Sequence, residues 1–570
     1  MCHDYVGEGR ISTVHGNLSG LKPSHLHRLK KAYRRRVSAH EVISVELATY
    51  LTELSREIKR QIGVLISRGG VVEDVFVGDE REVIIPNLSR YRLGRTALRG
   101  IRMIHTHLRN ESLSQDDLTD LAMLRFDLIA ALGIDTEGRP GMIYLAHVLP
   151  QNPAHRVYEV WAPTSFHALD LHLSTFLRSL DEEFSRSKSN HHVEHGSDRA
   201  ILISVSEKHR AIQKESVIEL QELADSDGIV VLDTVLQRPQ TVHPKYLLGQ
   251  GKLKDVVINA LHRGADFLIF DQNLTPAQTK AISEITEMKI IDRTQLILDI
   301  FSRRAHSREG KLQVELAQLR YVLPRLAERS TSLSRLTGGI GGRGPGETTL
   351  ELDRRRIRDR IAHLERQQKL LVKQRHQQRA LRVRHNYPIV ALIGYTNAGK
   401  STLLNTLTRN HVETSNQVFT TLDTASRRLR LLTEKEVILT DTVGFIQKLP
   451  KGLMGAFQTT LDELRDADLL LHVCDLSSPT FDEQLRVVSS VLSELSLTHI
   501  PRLLVLNKSD RVALPQRDVL AHRLSGIAIS ALNPTSLPPL LEAIDEHFQT
   551  YVLGAPAQER SWGYAGSTTR

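Results

Sequence analysis

The amino-acid sequence predicts a multidomain α/β protein, and three observations carry that reading. Apolar runs alternate with amphipathic stretches over residues 200–310 and again over 386–552, the pattern of parallel sheets flanked by helices. Two heptad-patterned segments around a glycine-rich loop separate them, over residues 311–385. Ahead of both lies a region of mixed periodicity, residues 1–181. Length agrees, because 570 residues exceed the roughly 100–200 of one domain several-fold. With 40% hydrophobic and 25% charged residues, a wholly disordered or collagen-like chain is excluded. Cys2 and Cys474 are the only cysteines, too few for a disulfide framework or a four-thiolate zinc site. No apolar run approaches roughly 18 residues and the start at Met1 lacks a signal pattern, so a cytoplasmic protein without a membrane span is expected.

Each segment has its own signature. Residues 41–60 show helical periodicity, and Gly63–Ile66 and Val71–Val77 read as strands, which makes 1–181 an α+β extension. From 182 to 199 the chain is polar and rich in Ser, Arg and His, a linker by composition. Ile201–Val205, Ile229–Val235, Phe267–Phe270 and Lys289–Ile291 read as strands of a small parallel sheet over 200–310. Next, Leu312, Leu316, Leu319, Leu323 and Leu326 recur at steps of four and three along one helix face, where Pro324 predicts a kink or an early end. Thr337 to Glu347 hold six glycines within nine residues, and Leu350, Ile357, Leu364 and Leu371 then recur every seven. An antiparallel helical hairpin with a glycine-rich tip is expected over 311–385. Residues 553–570, rich in Gly, Ser and Thr, read as a flexible tail.

Charge singles out the hairpin. The chain carries +9 overall, and residues 351–385 alone hold twelve Lys or Arg against four Asp or Glu, a local +8. A solvated coiled-coil face would be one reading of Arg354–Arg384. The scarcity of acids and of interleaved aromatics favours a surface for structured RNA backbone, with Arg335 and Arg343 at the tip.

The nucleotide signal begins at Gly394-Tyr395-Thr396-Asn397-Ala398-Gly399-Lys400-Ser401, a full G-x-x-x-x-G-K-[ST] between the apolar runs Ile389–Ile393 and Leu403–Leu407. Its glycines let backbone N–H groups face phosphates, Lys400 reaches the β- and γ-phosphates, and the Ser401 hydroxyl suits Mg²⁺. Asp441-Thr442-Val443-Gly444 places a carboxylate at the end of the strand-like Val437–Leu439, for Mg²⁺ held through water. Asn507-Lys508-Ser509-Asp510 follows another strand, and an ionised Asp510 accepts from the two donors of guanine's N1/N2 edge while disfavouring adenine. In Ser530-Ala531-Leu532 a backbone N–H is expected to meet the guanine carbonyl. Thr421, within Phe419-Thr420-Thr421-Leu422-Asp423, is the expected switch threonine, with Thr420 its adjacent rival. Five elements in this order predict a P-loop GTPase domain over 386–552, with Lys400 and Thr421 serving catalysis and Ser401 and Thr421 binding Mg²⁺. Phe445 stands where many GTPases carry a water-orienting Gln, with Gln447 two positions on as a substitute. Slow hydrolysis unless a partner assists is therefore expected.

These motifs, together with Lys311–Leu319 and Gly338–Glu347, resemble the translational GTPases of the HflX family over roughly residues 200–552. The resemblance implies an N-terminal α/β domain plus hairpin, binding of the large ribosomal subunit and its RNA, and GTP-dependent separation of stalled or idle ribosomes by a monomer cycling between GTP and GDP. It also implies that the extra C-terminal domain of some members has no counterpart here. The alternative is a GTP-regulated RNA-binding or tRNA-modification scaffold that does not split ribosomes.

In the extension, Ile104-His105-Thr106-His107 followed by Ser114-Gln115-Asp116-Asp117 resembles the JAB/MPN metalloprotease pattern. There two His and an Asp hold Zn²⁺ and an upstream Glu is the base. His105 and His107, alternate residues of one strand, share a face. Leu108 replaces the usual Pro, the spacing to the Asp is one residue short, and Glu73, Glu80 and Glu82 compete as the base. Zinc is the weaker expectation and peptidase activity is not expected. His191, His192 and His195 read as linker residues.

Overall fold

The computed structural model describes residues 13–86, 88, 91, 98–154, 156–191, 198–207, 209–334, 345–384, 387–408, 426–442, 444–445 and 463–554. In the extension, β1 (Val14–Gly16), α1 (Pro23–Lys31), α2 (Val45–Ile58), β2 (Ile62–Ser67), β3 (Val72–Val77), β4 (Ile101–His107), α3 (Gln115–Leu124), β5 (Leu128–Ile134), β6 (Pro140–Val148), β7 (Tyr158–Val160), β8 (Thr164–Ser165) and α4 (Leu173–His191) follow one another. The mixed sheet runs β1-β3-β2-β4-β5-β6-β7, with β8 also paired to β6. It buries apolar side chains on both faces: Val64, Ile104 and Leu132 on the side of α2, Leu65, Met103 and Ile129 on the side of α3.

One expectation fails here. The stretch 182–199 is not a linker from its start, because α4 continues to His191 and the next strand begins at Arg199. Leu173, Leu177, Leu180 and Phe184 recur at helical spacing and are all buried against the sheet, so packing holds this polar segment helical.

The second unit is β9 (Arg199–Val205), α5 (Arg210–Ser226), β10 (Val230–Gln237), α6 (Gln250–Arg263), β11 (Phe267–Phe270), α7 (Pro276–Ser283), β12 (Lys289–Asp292) and α8 (Arg293–Arg304). Its four strands are all parallel, in the order β10-β9-β11-β12. The extension docks on it through α3, which meets α6. Met123 packs into the core around Leu253 and Val257, and Arg99 makes two hydrogen bonds to Glu287, at 3.2 and 3.1 Å.

The hairpin is α9 (Arg308–Ser334) and α10 (Pro345–Arg384). Pro324 does not end α9, which runs ten residues beyond it. Leu312, Leu316 and Leu364 form the buried seam, joined by Leu319, Ile361 and Leu371. Ion pairs Arg360–Glu315 (2.7 Å) and Arg320–Glu365 (2.6 Å) flank it. The glycine-rich tip, Thr337 to Gly344 with Arg335 and Arg343, lies outside the described residues.

The third unit is β13 (Ile389–Gly394), α11 (Lys400–Thr408), β14 (Ser426–Arg430), β15 (Glu436–Asp441), β16 (Leu469–Asp475), α12 (Phe481–Glu494), β17 (Arg502–Asn507), α13 (Leu514–Leu524), β18 (Ile527–Ala528) and α14 (Pro538–Gly554). The final helix reaches two residues into the stretch read as tail. The sheet order is β14-β15-β13-β16-β17-β18, parallel except for β14. Alternation along β13 divides its side chains. Val390 and Leu392 face α11 and α14, whereas Ala391 and Ile393 join Phe445 in a core shared with Val217, Leu220, Ile297 and Phe301 of the second unit.

Candidate functional site

The strand β13 ends at Gly394 in mid-sheet, where connections pass to β15 on one side and β16 on the other. Ligands of parallel sheets bind in the crevice at such a switch point. The loop after Gly394 opens α11, whose N-terminus brings unpaired N–H groups to that crevice. Gly399 has φ +90°, and a Cβ there would lie 2.3 Å from Asn507 Nδ2, so the backbone course requires glycine. Lys400 is buried, with Nζ donating to the carbonyls of Gly394 (3.2 Å) and Tyr395 (2.9 Å). Burial lowers its pKa to about 8, against the pull of Asp441. A phosphate is the partner that would raise it again.

Ser401 Oγ donates to Asp441 Oδ2 at 2.7 Å, and Asp441 Oδ1 accepts from Thr442 N at 2.9 Å. Two hard oxygens facing one another beside the phosphate loop suit Mg²⁺. Asn507 is a clamp: Nδ2 donates to Ala398 O (2.8 Å), and Oδ1 accepts from Ala531 N (2.9 Å). Lys508 takes a left-handed φ of 59° and pairs with Asp475 at 2.8 Å, leaving Ser509 buried and Asp510 exposed at the rim. Ser530 N donates to Ser536 Oγ and Ala531 N to Asn507 Oδ1, and Leu532 is exposed. Gly394 to Ser401, Asp441, Thr442, Gly444, Asn507 to Asp510 and Ser530 to Leu532 are thus gathered around one crevice. Phe419, Thr420, Thr421, Leu422, Asp423, Val443 and Gln447 lie outside the described residues.

Phe445, read as a missing water-orienting group, is buried in the core shared by the two α/β units. Sequence reasoning missed Glu219, whose Oε1 accepts from the Tyr395 hydroxyl at 2.8 Å. No motif or period marks a residue 176 positions upstream as a neighbour of the phosphate loop.

A second group lies in the extension. His105 Nε2 and His107 Nε2 are 2.9 Å apart, and Asp117 carboxylate oxygens lie 3.3 and 3.7 Å from them. All three residues are buried and their ligand atoms fall within 4.8 Å of one another. His107 Nδ1 meets the Glu111 carbonyl at 3.0 Å, which as a donor leaves Nε2 the bare nitrogen. Burial lowers the pKa of His107. It would raise that of Asp117, yet His105 and the Ser114 N–H and hydroxyl hold this carboxyl below its usual range. Neutral imidazoles and a carboxylate are what a transition metal takes. The candidate bases do not join them: Glu73 is half-buried and Glu80 and Glu82 are exposed. Gly63 is paired with His105 on the neighbouring strand, and Phe76 fills its face, at 2.1 Å from where a Cβ would stand.

A phosphate loop at a switch point, a Ser401–Asp441 oxygen pair and an Asn507 clamp define the nucleotide site of a P-loop GTPase. Family models agree in chain order: GTP-binding GTPase N-terminal at residues 214–302, GTP-binding GTPase Middle Region at 304–382, and 50S ribosome-binding GTPase at 389–508. The chain belongs to the HflX GTPase family. It is 46% identical over 364 residues to GTPase HflX of Caldanaerobacter subterraneus subsp. tengcongensis, covering 64% of this chain and 82% of that protein. The Escherichia coli K12 GTPase HflX is 42% identical over 353 residues, covering 60% and 83%. No helix among the described residues is long and apolar enough to cross a membrane.

Proposed function

We propose that this chain is a Mg²⁺-dependent GTPase that docks on the large ribosomal subunit as a monomer in the cytoplasm and splits or rescues stalled or idle 70S ribosomes. The observation that carries this reading is the hairpin. Leucines and two interhelical ion pairs hold one side of α10 to α9, while Arg355, Arg358, Arg366 and Lys369 are exposed. A basic helix without aromatics suits the backbone of folded RNA. Its root, α9, packs on α8 and α7 beside the core that also holds Phe445, so the lever and the nucleotide site share one mechanical base. The ribosome-binding description of the matching family model supports the same target.

In the nucleotide site, Lys400 and the N-terminus of α11 offset phosphate charge, and Asp510 selects the purine. Mg²⁺ held at Ser401 and Asp441, with Thr421 as the expected switch ligand, would supply further neutralisation of the transferred phosphoryl group. Phe445 orients no water, so partner-induced ordering is the expected source of acceleration. The scaffold alternative predicts RNA binding without subunit separation. Density-gradient sedimentation of 70S ribosomes with the protein and a non-hydrolysable GTP analogue decides between them: free subunits with protein on the large one are expected, and intact 70S peaks lacking the protein would sink this reading.

The extension supports a narrower proposal, a metal site at His105, His107 and Asp117 without peptidase activity. Its basis is the convergence of three buried ligand atoms with no glutamate among them. Elemental analysis of the full chain should find about one equivalent of zinc or a similar metal, lost in His105→Ala/His107→Ala. Equal, near-zero metal in both would leave a polar cluster only.

A further inference from the structure

A residue of a different domain holds the phosphate loop. Tyr395, the second residue of that loop, donates its hydroxyl to Glu219 Oε1 at 2.8 Å, and Glu219 belongs to α5 of the upstream unit. The other carboxylate oxygen, Oε2, is 2.7 Å from Arg293 Nη2, and Arg293 Nη1 is 2.7 Å from Asp271. Ser216 Oγ adds a hydrogen bond to Asp271 at 2.9 Å. Arg293 and Asp271 are almost wholly buried, so Glu219 is clamped from behind. Burial works against the Arg293 charge, yet Glu219 and Asp271 keep its pKa above the ordinary value.

The same end of β13 is tied to the segment after Asp441. Thr396 N donates to Phe445 O at 2.8 Å and Phe445 N to Gly394 O at 3.1 Å. The Phe445 ring in turn sits in the core that contains Val217 and Leu220, on either side of Glu219 along α5. Two contacts, one polar and one apolar, therefore join α5 to the loop and to the segment that faces the terminal phosphate.

We propose that Glu219 is a positioning residue for GTP hydrolysis, acting through Tyr395 on the phosphate loop. The upstream unit then sets the geometry of a site to which it contributes no ligand. Any shift of Gly444–Phe445 on nucleotide turnover works against α5, which shares a core with the base of the hairpin. Coupling is reciprocal, so docking of the hairpin feeds back on the loop by the same route.

Single-turnover GTP hydrolysis and GDP affinity, measured on the full chain, test this with Tyr395→Phe, Glu219→Ala, Glu219→Gln and the double variant Tyr395→Phe/Glu219→Ala. Loss of the hydroxyl or of the carboxylate should each slow hydrolysis about five- to tenfold, the scale of one net hydrogen bond, with GDP affinity within about twofold. The double variant should be no slower than the slower single one, because both remove one link. Glu219→Gln keeps an acceptor and should retain more than half of the wild-type rate. A Tyr395→Phe rate within twofold of wild type overturns the proposal, as does multiplication of the two single losses in the double variant. Should Glu219→Ala fail to fold, Tyr395→Phe set against Glu219→Gln still decides, since only the first is expected to be slow.

Discussion

The two parallel α/β units present their strand ends differently. In the upstream sheet the C-terminal edge is filled by the protein's own groups: Ser204 and Ser216 on Asp271, Arg293 between Asp271 and Glu219, and Asp292 capping α8. In the G domain the equivalent edge opens into the phosphate loop, where Lys400 is buried, donates to two backbone carbonyls among the described residues, and has a lowered pKa. One architecture thus gives a closed charge network in one unit and a charge-seeking crevice in the other. The first should govern stability and the second ligand binding.

The largest effect is expected at Asp271. Asp271→Ala leaves Arg293 buried with a partner missing and should cost about 3 kcal/mol or more in urea unfolding, while GDP affinity of the folded fraction changes by no more than about threefold. Lys400→Ala should do the reverse. Hydrolysis falls on the order of 100-fold or more, with the unfolding midpoint unchanged or higher, because a desolvated ammonium has been removed. A large stability loss in Lys400→Ala would erase the contrast.

Asp510→Asn should weaken GTP binding by about 10- to 100-fold, the range of a hydrogen bond to a charged group, and shift preference toward xanthosine triphosphate. Equal GTP affinity in this variant removes Asp510 from the purine pocket. Titration provides a finer test. The folded-state pKa of Lys400, about 8, lies below its ordinary value, so between those values the unfolded chain binds more protons and the lysine's contribution to stability rises with pH. Phosphate binding needs the ammonium, so GDP affinity should fall as pH rises above about 8, approaching tenfold per unit, with proton uptake seen by calorimetry in two buffers. A flat profile to pH 9.5 would contradict a neutral lysine in the free site. The smallest effect belongs to the hairpin: Arg355→Ala and Arg358→Ala should each lower the salt slope of large-subunit binding by about 0.7–0.9, leaving GDP binding alone.

Much of this was legible from local patterns. Phe267–Phe270 is a strand over its predicted residues, and the phosphate-loop motif lies between a strand and a helix as its spacing requires. The heptad positions Leu364 and Leu371 face the seam, whereas Leu370 is exposed. Composition misled at 182–191, where Ser and Arg suggested a linker although the spacing of Leu173, Leu177, Leu180 and Phe184 already encoded a buried helical face. Pro324 predicts a kink or an early end, yet α9 continues to Ser334. His105, His107 and Asp117 were legible as ligand types, but their convergence depends on α3 folding over β4.

Sequence alone determined what most segments become, because periodicity, glycine placement and capping act within a few residues of chain. It determined the class of nucleotide chemistry for the same reason: the phosphate loop, Asp441 and the Asn507–Asp510 run are short backbone conformations with a fixed chemical purpose. Only the tertiary structure decided which groups meet across units. Tyr395 and Glu219 are 176 residues apart, and Phe445 is placed by a core drawn from two domains. Such distances are set by the joint packing of many side chains, and no local pattern records the sum of those contacts.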